Sequence, residues 1–331
     1  MFKMFSGLKA SAAALAVGAA LVVSGAAEAA KVRVAFGDIA SVESLHLLAA
    51  FERAKEQGVD IEVTYLKSED IAAQAVVGGQ ADIGVGGPYA LVQKVKAPIR
   101  MFLQLSTLRF YPAVNAQFYK TWKDLDGQEI AVHSRGSGTE AIMKLMEDRQ
   151  GIKFSKISYI PGSEVRTGAL LQGNVKATIV DSAGRRLLET QAPGKFVILP
   201  LEGVSATDEA LFANTAFLEK NAADVDKIVE AIITTWREVT ANPAVVTDLR
   251  AKYKLLPDLP AAQVAEIVPY FQELAQGKAF PLNGGGAAAA KDDFAFYTLS
   301  GQLTGDPASL KVEDFWDTRS LDRALAKLGT K

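Results

Sequence analysis

The chain has 331 residues, of which 49% are hydrophobic, with 36 basic and 38 acidic side chains. This composition predicts a soluble globular protein of one or two domains, and the near-neutral charge argues against a nucleic-acid-binding protein. The absence of cysteine excludes a small secreted module held together by disulfides.

The first 29 residues predict a Sec signal peptide. Lys3 and Lys9 precede an apolar run over residues 12–23, and Ala27-Glu28-Ala29 places small residues at the two positions that a signal peptidase reads. A membrane anchor is the weaker alternative, because this run is shorter than the ~20 residues that span a bilayer. Cleavage after Ala29 would leave a periplasmic chain with 34 basic and 37 acidic residues.

Strand and helix patterns alternate after this segment. Strands are predicted at 32–36, 61–66 and 81–85, with helices at 43–57 and 71–77 between them. A βαβαβ order implies a parallel sheet with right-handed crossovers. Further strands at 101–107 and 110–118 are expected to lead out of this unit.

The same alternation restarts at residue 129 and predicts a second α/β lobe. Its strands are expected at 129–133, 156–160 and 175–180, and a strand at 196–201 is interpreted as the return crossing, paired with 101–107. The chain beyond residue 217 has mainly helical patterns. We predict a first lobe from 30–106 and 202–331 and a second lobe from 107–201, each a mainly parallel sheet flanked by helices, with a helical C-terminal extension.

The stretch 129–140 is the strongest candidate for ligand binding. A strand leads into a loop with two glycines and three hydroxyl residues, and a helix follows. Free N–H groups and the positive end of the helix dipole favour an anion at such a place, and Arg135 adds a positive charge. Ser137 and Glu140 also form a capping box, which could satisfy these N–H groups without a ligand.

Ligands of open α/β sheets bind beyond the carboxyl ends of the strands, so residues that follow the predicted strands are expected to line one cleft between the lobes. The predicted ligand-binding residues are Gly37, Asp38, Ser41, Gly87, Pro88, Tyr89, Ser134, Arg135, Ser137, Gly138, Thr139, Arg166 and Asp181. Local alternatives exist for some of them. Gly87 and Pro88 could form a simple turn, Asp181 could cap a helix, and Arg166 could be a solvated helix residue.

No catalytic motif is found in the sequence. His46 and His133 have no partner at metal-ligand spacing, and neither a GxSxG motif nor a phosphate-binding Walker loop occurs. We therefore expect a protein that is not an enzyme and that needs no cofactor or metal.

With these lobes in place, the chain resembles the periplasmic solute-binding proteins of ABC importers for sulfonates, taurine, nitrate and pyrimidine precursors of thiamine. The resemblance is carried by segments 32–37, 79–84, 123–132 and 314–317. It implies a type II two-lobe fold that closes on a small ligand and presents it to a permease in the inner membrane, with ligand contacts from the loops at 37–41, 87–89 and 134–139. Many relatives have an aromatic residue after the last strand of the second lobe, where this chain has Asp181-Ser182-Ala183.

These observations lead to the hypothesis of a monomeric binding protein that captures a small organic anion, a sulfonate or carboxylate, by hinge closure. Segment 136–140 also resembles the TAXI-type binding proteins of TRAP transporters. That class and a sensory ligand-binding protein remain the alternatives.

Overall fold

The computed structural model describes residues 31–331, so the predicted signal peptide lies outside the described residues. The described strands are β1 (Val32–Phe36), β2 (Ile61–Tyr65), β3 (Ile83–Gly86), β4 (Ile99–Gln104), β5 (Tyr111–Asn115), β6 (Glu129–Val132), β7 (Lys156–Tyr159), β8 (Ala177–Val180), β9 (Phe196–Ile198) and β10 (Ala210–Asn214). The described α-helices are α1 (Leu45–Glu56), α2 (Glu69–Val77), α3 (Tyr89–Val95), α4 (Gly138–Gln150), α5 (Ser163–Leu171), α6 (Ser182–Gln191), α7 (Thr215–Lys220), α8 (Ala222–Ala241), α9 (Val245–Tyr253), α10 (Ala261–Gln276), α11 (Gly286–Leu299) and α12 (Arg319–Leu328).

The strands form two five-stranded sheets with the same plan. The first has the order β2-β1-β3-β10-β4 and the second the order β7-β6-β8-β5-β9. In each sheet one strand, β10 or β5, runs antiparallel to both of its neighbours, and the other four strands share one direction. The prediction of two mainly parallel sheets flanked by helices is therefore confirmed.

The centre of the first sheet shows how closely its strands pack. All four residues of β3 are buried, as expected for a strand covered by helices on both faces. A Cβ atom on Gly84 would lie 2.2 Å from the ring of Phe212 on β10. Only glycine fits at this position, because the ring occupies the space of a side chain.

The predicted return crossing is wrong. The strand within 196–201, β9, stays in the second sheet and pairs with β5. The segment that leaves the first sheet instead contacts residues 206–209, with Leu108 N donating to Ala206 O at 2.9 Å and Asp208 N donating to Ser106 O at 3.0 Å. Two adjacent connecting segments therefore join the sheets.

The helical C-terminal region is confirmed, and it packs mainly on the first sheet's helices. Helix α8 packs on α1, and α12 packs on α8. Helix α10 also reaches the second sheet's helix α6, where Arg186 Nη2 lies 3.0 Å from Glu266 Oε2. Across residues 31–331, no helix combines the length and apolar character needed to cross a bilayer.

Candidate functional site

The carboxyl ends of the two sheets face each other across a narrow cleft. His133, directly after β6, bridges it: its Nε2 lies 3.2 Å from Gly37 O after β1, and its Nδ1 accepts from Gly162 N at 3.3 Å. This pairing fits a neutral imidazole with the proton on Nε2. Burial lowers the pKa of His133, which favours the same neutral form.

A cavity of about 30 Å³ in this cleft is lined by carboxylates from several elements. Its acidic residues are Asp38, Glu43, Glu69, Asp208 and Glu209. Asp38 and Glu43 lie in the segment after β1, Glu69 begins α2, and Asp208 and Glu209 precede β10. Sequence reasoning found only Asp38 among them.

Mutual proximity and loss of hydration change the acidity of these groups. Burial, with a smaller contribution from the neighbouring Asp38, raises the pKa of Glu69 to about 7. Burial together with repulsion from nearby carboxylates also raises the pKa values of Glu43, Asp208 and Glu209 well above the usual range. The ligand-free site therefore holds carboxyl groups that gain from a nearby positive charge.

Arg166 supplies a positive charge to this cavity. It is 1% exposed, and its guanidinium donates to Ile179 O and Ile160 O at 2.9 Å each, which fixes it at the ends of β8 and β7. The alternative of a solvated helix residue is wrong. Burial lowers the pKa of Arg166, while the surrounding carboxylates oppose that shift.

The tip of α4 is capped by its own residues. Ser137 Oγ accepts from Glu140 N at 3.3 Å, and Glu140 Oε2 accepts from Gly136 N at 2.7 Å. The N–H groups of Gly138 and Thr139 have no acceptor within residues 31–331, and both residues line the acidic cavity. Two donors thus remain free beside the carboxylates, although the capping alternative describes most of this helix start.

The remaining predicted residues do not share one cavity. Tyr89 is fully buried, and its hydroxyl bonds to Asp293 and to Trp316 Nε1, so its side chain belongs to the core and lines neither cavity. Asp181 Oδ1 accepts from Gly184 N at 2.7 Å, which confirms the cap alternative, although Asp181 also lines a neighbouring cavity with Ser41.

Two other residues predicted to bind ligand are buried and help to fix the conformation of the loops around the cleft. Ser134 N donates to Ser137 Oγ at 3.3 Å, and Ser134 is 2% exposed. Gly37 is buried against α2, since a Cβ there would lie 2.5 Å from Glu69 Cα. Both residues shape the cleft without lining the acidic cavity.

A second cavity of about 300 Å³ lies beside the first. It is lined by Gly87 and Pro88, by the exposed Arg135, and by Glu69, which also lines the acidic cavity. Arg135 lies over the ring of Tyr159, 5.4 Å from the centroid. The predicted single cleft is therefore divided into two adjoining spaces, and the two arginines predicted for it lie in different ones.

Comparison with known proteins gives a family and a fold. A family model described as NMT1/THI5 like matches residues 54–245. No curated protein sequence matches the chain significantly.

Three of the similar solved structures illustrate the fold. A protein from Bordetella bronchiseptica RB50 is 22% identical and covers 91% of this chain and 98% of its own, with a TM-score of 0.71. The alkanesulfonate-binding protein SsuA from Xanthomonas axonopodis pv. citri, bound to MOPS, is 16% identical over 88% of this chain and 99% of its own, with a TM-score of 0.62. The periplasmic nitrate-binding protein NrtA from Synechocystis PCC 6803 is 13% identical over 91% and 90%, with a TM-score of 0.64.

Proposed function

Because the chain belongs to the NMT1/THI5-like family and has the periplasmic-binding-protein fold of ABC importers, we propose that it is the periplasmic binding protein of such an importer. Its ligand, in this proposal, is a small molecule with a protonated nitrogen. Closure of two lobes about the adjacent connecting segments at 105–108 and 206–209 would enclose the ligand. A permease in the inner membrane would then receive it.

The carboxylate cavity is the observation that carries the proposed ligand class. Five acidic residues line it together with Arg166. At an effective dielectric constant of about 20, two unit charges 4 Å apart interact by about 4 kcal/mol. A cationic nitrogen gains this order of energy from a carboxylate that is ionised, and a smaller net energy from a carboxyl whose pKa is raised, because the cation must also hold that group in its ionised form. A simple anion such as nitrate is repelled by each carboxylate that is ionised.

Acceptor atoms of the same ligand also have partners in this cavity. The free N–H groups of Gly138 and Thr139 and the guanidinium of Arg166 would bind a carbonyl, carboxylate or sulfonate oxygen. In this proposal the ligand carries the anionic group predicted from the sequence only if it also carries a protonated nitrogen.

A matched set of compounds tests this proposal. Thermal unfolding of the protein would be followed with ethanesulfonate, taurine and ethylamine, which share a two-carbon chain and are an anion, a zwitterion and a cation respectively. Aminopyrimidines and amino acids would be tested in the same assay. We expect stabilisation only by compounds that contain a protonated nitrogen; a ligand at about 100 times its Kd adds about 2.7 kcal/mol. Stabilisation by ethanesulfonate and not by any amine would overturn the cationic ligand.

Two variants make the test specific to the cavity. Asp38→Asn removes one lining carboxylate and should weaken binding of the best amine by at least tenfold, while Glu202→Gln, at an exposed position, should leave it unchanged. Recovery of intact ligand after release distinguishes binding from turnover. A chemically altered ligand would refute the binding-protein role.

A further inference from the structure

The cavity of about 300 Å³ adjoins the acidic cavity at Glu69, which lines both. The acidic cavity, at about 30 Å³, has room for little more than one water-sized group. The neighbouring cavity has about twice the ~150 Å³ that accommodates benzene in an engineered protein core. A ligand larger than a small ammonium ion therefore needs this second space.

The lining of this cavity is mainly apolar. Helix α2 contributes Ala73, α3 contributes Ala90, Leu91 and Val95, and β10 contributes Phe212. Val95 is 65% exposed at its rim. Such a surface gains free energy when an aliphatic or aromatic group displaces water from it.

Glu69 connects the two cavities, since it lines both. Its Oε2 accepts from Gly87 N at 3.2 Å, and its Oε1 lies 4.0 Å from His133 Nε2. A Cβ on Gly86 would lie 2.8 Å from that Oε2, so glycine leaves the room that the carboxylate occupies. The carboxylate is thus held at the boundary between the acidic and the apolar space.

A buried polar atom in this second cavity also points to a ligand. Gln302 is 6% exposed and lines the cavity; its Nε2 donates to Ser137 O at 3.3 Å, while its Oε1 has no partner within residues 31–331. Buried amide oxygens are normally paired, so a donor is missing here. An N–H or O–H group of a bound molecule would supply it.

We propose that this second cavity binds the apolar body of an elongated organic cation whose protonated nitrogen lies among the carboxylates. The inference rests on the proposed function and narrows its ligand to amines with an aromatic or aliphatic body that lies between α2 and α3. Glu69 contacts the junction between the head and the body of this ligand.

A homologous series of primary amines tests the apolar subsite. Affinities of ethylamine, butylamine, hexylamine and 2-phenylethylamine would be measured at pH 8 by calorimetric displacement titration. Each additional buried methylene should increase affinity about fourfold, the equivalent of about 0.8 kcal/mol. Equal affinity along the series would overturn the subsite and leave the cationic ligand standing, whereas no binding by any amine would overturn the cationic ligand as well.

A cavity-filling variant locates the effect. Ala90→Phe places a ring in the second cavity and should reduce hexylamine affinity by tenfold or more while leaving ethylamine affinity unchanged. Ala223→Phe, at an exposed position of α8, is the matched control and should change neither affinity. Unchanged hexylamine affinity in Ala90→Phe would also overturn the subsite, because the added ring would then occupy space that the ligand does not use.

Discussion

The Glu69 carboxyl is expected to destabilise the ligand-free protein at neutral and alkaline pH. Its pKa is about 7 in the folded protein, against an ordinary value of 4.5. Between these two pH values the folded state holds a proton that the unfolded chain has released, so the free energy of unfolding falls as the pH rises. This contribution to stability is fully present below about pH 4.5 and is lost as the pH rises through about 7.

The size of the effect follows from that difference. At about 1.4 kcal/mol per pKa unit, the ionised Glu69 side chain costs about 3 kcal/mol above pH 7. The side chain is 15% exposed, so solvent screening removes only a part of this. Glu69→Gln keeps an oxygen that can accept from Gly87 N, and we expect it to stabilise the empty protein by about 2 kcal/mol or more at pH 8 and by almost nothing at pH 4.5.

Urea unfolding of the wild type and of Glu69→Gln, measured from pH 4.5 to pH 8, checks this prediction. His133 lies beside Glu69 and is buried in its neutral form, so below about pH 6.5 it makes the free energy of unfolding rise with pH. Because His133 is present in both proteins, this contribution cancels when the two free energies of unfolding are subtracted. Glu202→Gln should show no such difference. A gain for Glu69→Gln that is the same at both ends of the pH range, or absent, would refute the reasoning.

Three further predictions concern the stability of the fold, and urea unfolding measures each of them. Gly84→Ala should cost about 1–3 kcal/mol because its methyl group overlaps the ring of Phe212, whereas Gly168→Ala, with open space inside α5, should stabilise by up to about 1 kcal/mol. Arg166→Met should cost about 3–5 kcal/mol, since it removes a buried cation from among the carboxylates. Tyr89→Phe should cost about 1–3 kcal/mol through its buried hydroxyl bonds and leave ligand affinity unchanged.

Local sequence patterns predicted the elements well where proline or glycine marks their ends. Helix α10, in the region predicted to be mainly helical, runs over Ala261–Gln276 between Pro260 and Gly277. The pattern at 196–201 correctly indicated a strand but could not indicate its neighbours, because pairing partners are set by tertiary packing. Helix α12 lies in the region predicted to be mainly helical, but its bounds were not predicted.

Two of the missed carboxylates, Asp208 and Glu209, were missed because of strand direction. The rule used on the sequence selects residues that come after parallel strands, and it found Asp38 in this way. Strand β10 is antiparallel to β3, with Ala210 opposite Gly86, so the residues that precede β10 lie at the same edge of the sheet. Asp208 and Glu209 therefore enter the cleft from a position that the rule does not cover, and only the reversed direction of β10 would have indicated them.

The charge that the site favours depends on the sum of its groups and not on one motif. A helix N-terminus favours an anion by about 0.3–1 kcal/mol at an exposed site, and the tip of α4 is already partly satisfied by Ser137 and Glu140. The carboxyl groups that line the cavity oppose that preference, since each one that ionises interacts with a unit charge 4 Å away by about 4 kcal/mol at an effective dielectric constant of about 20. The motif and the cavity therefore predict opposite charges for the group that binds there, and the larger energy favours a cationic nitrogen.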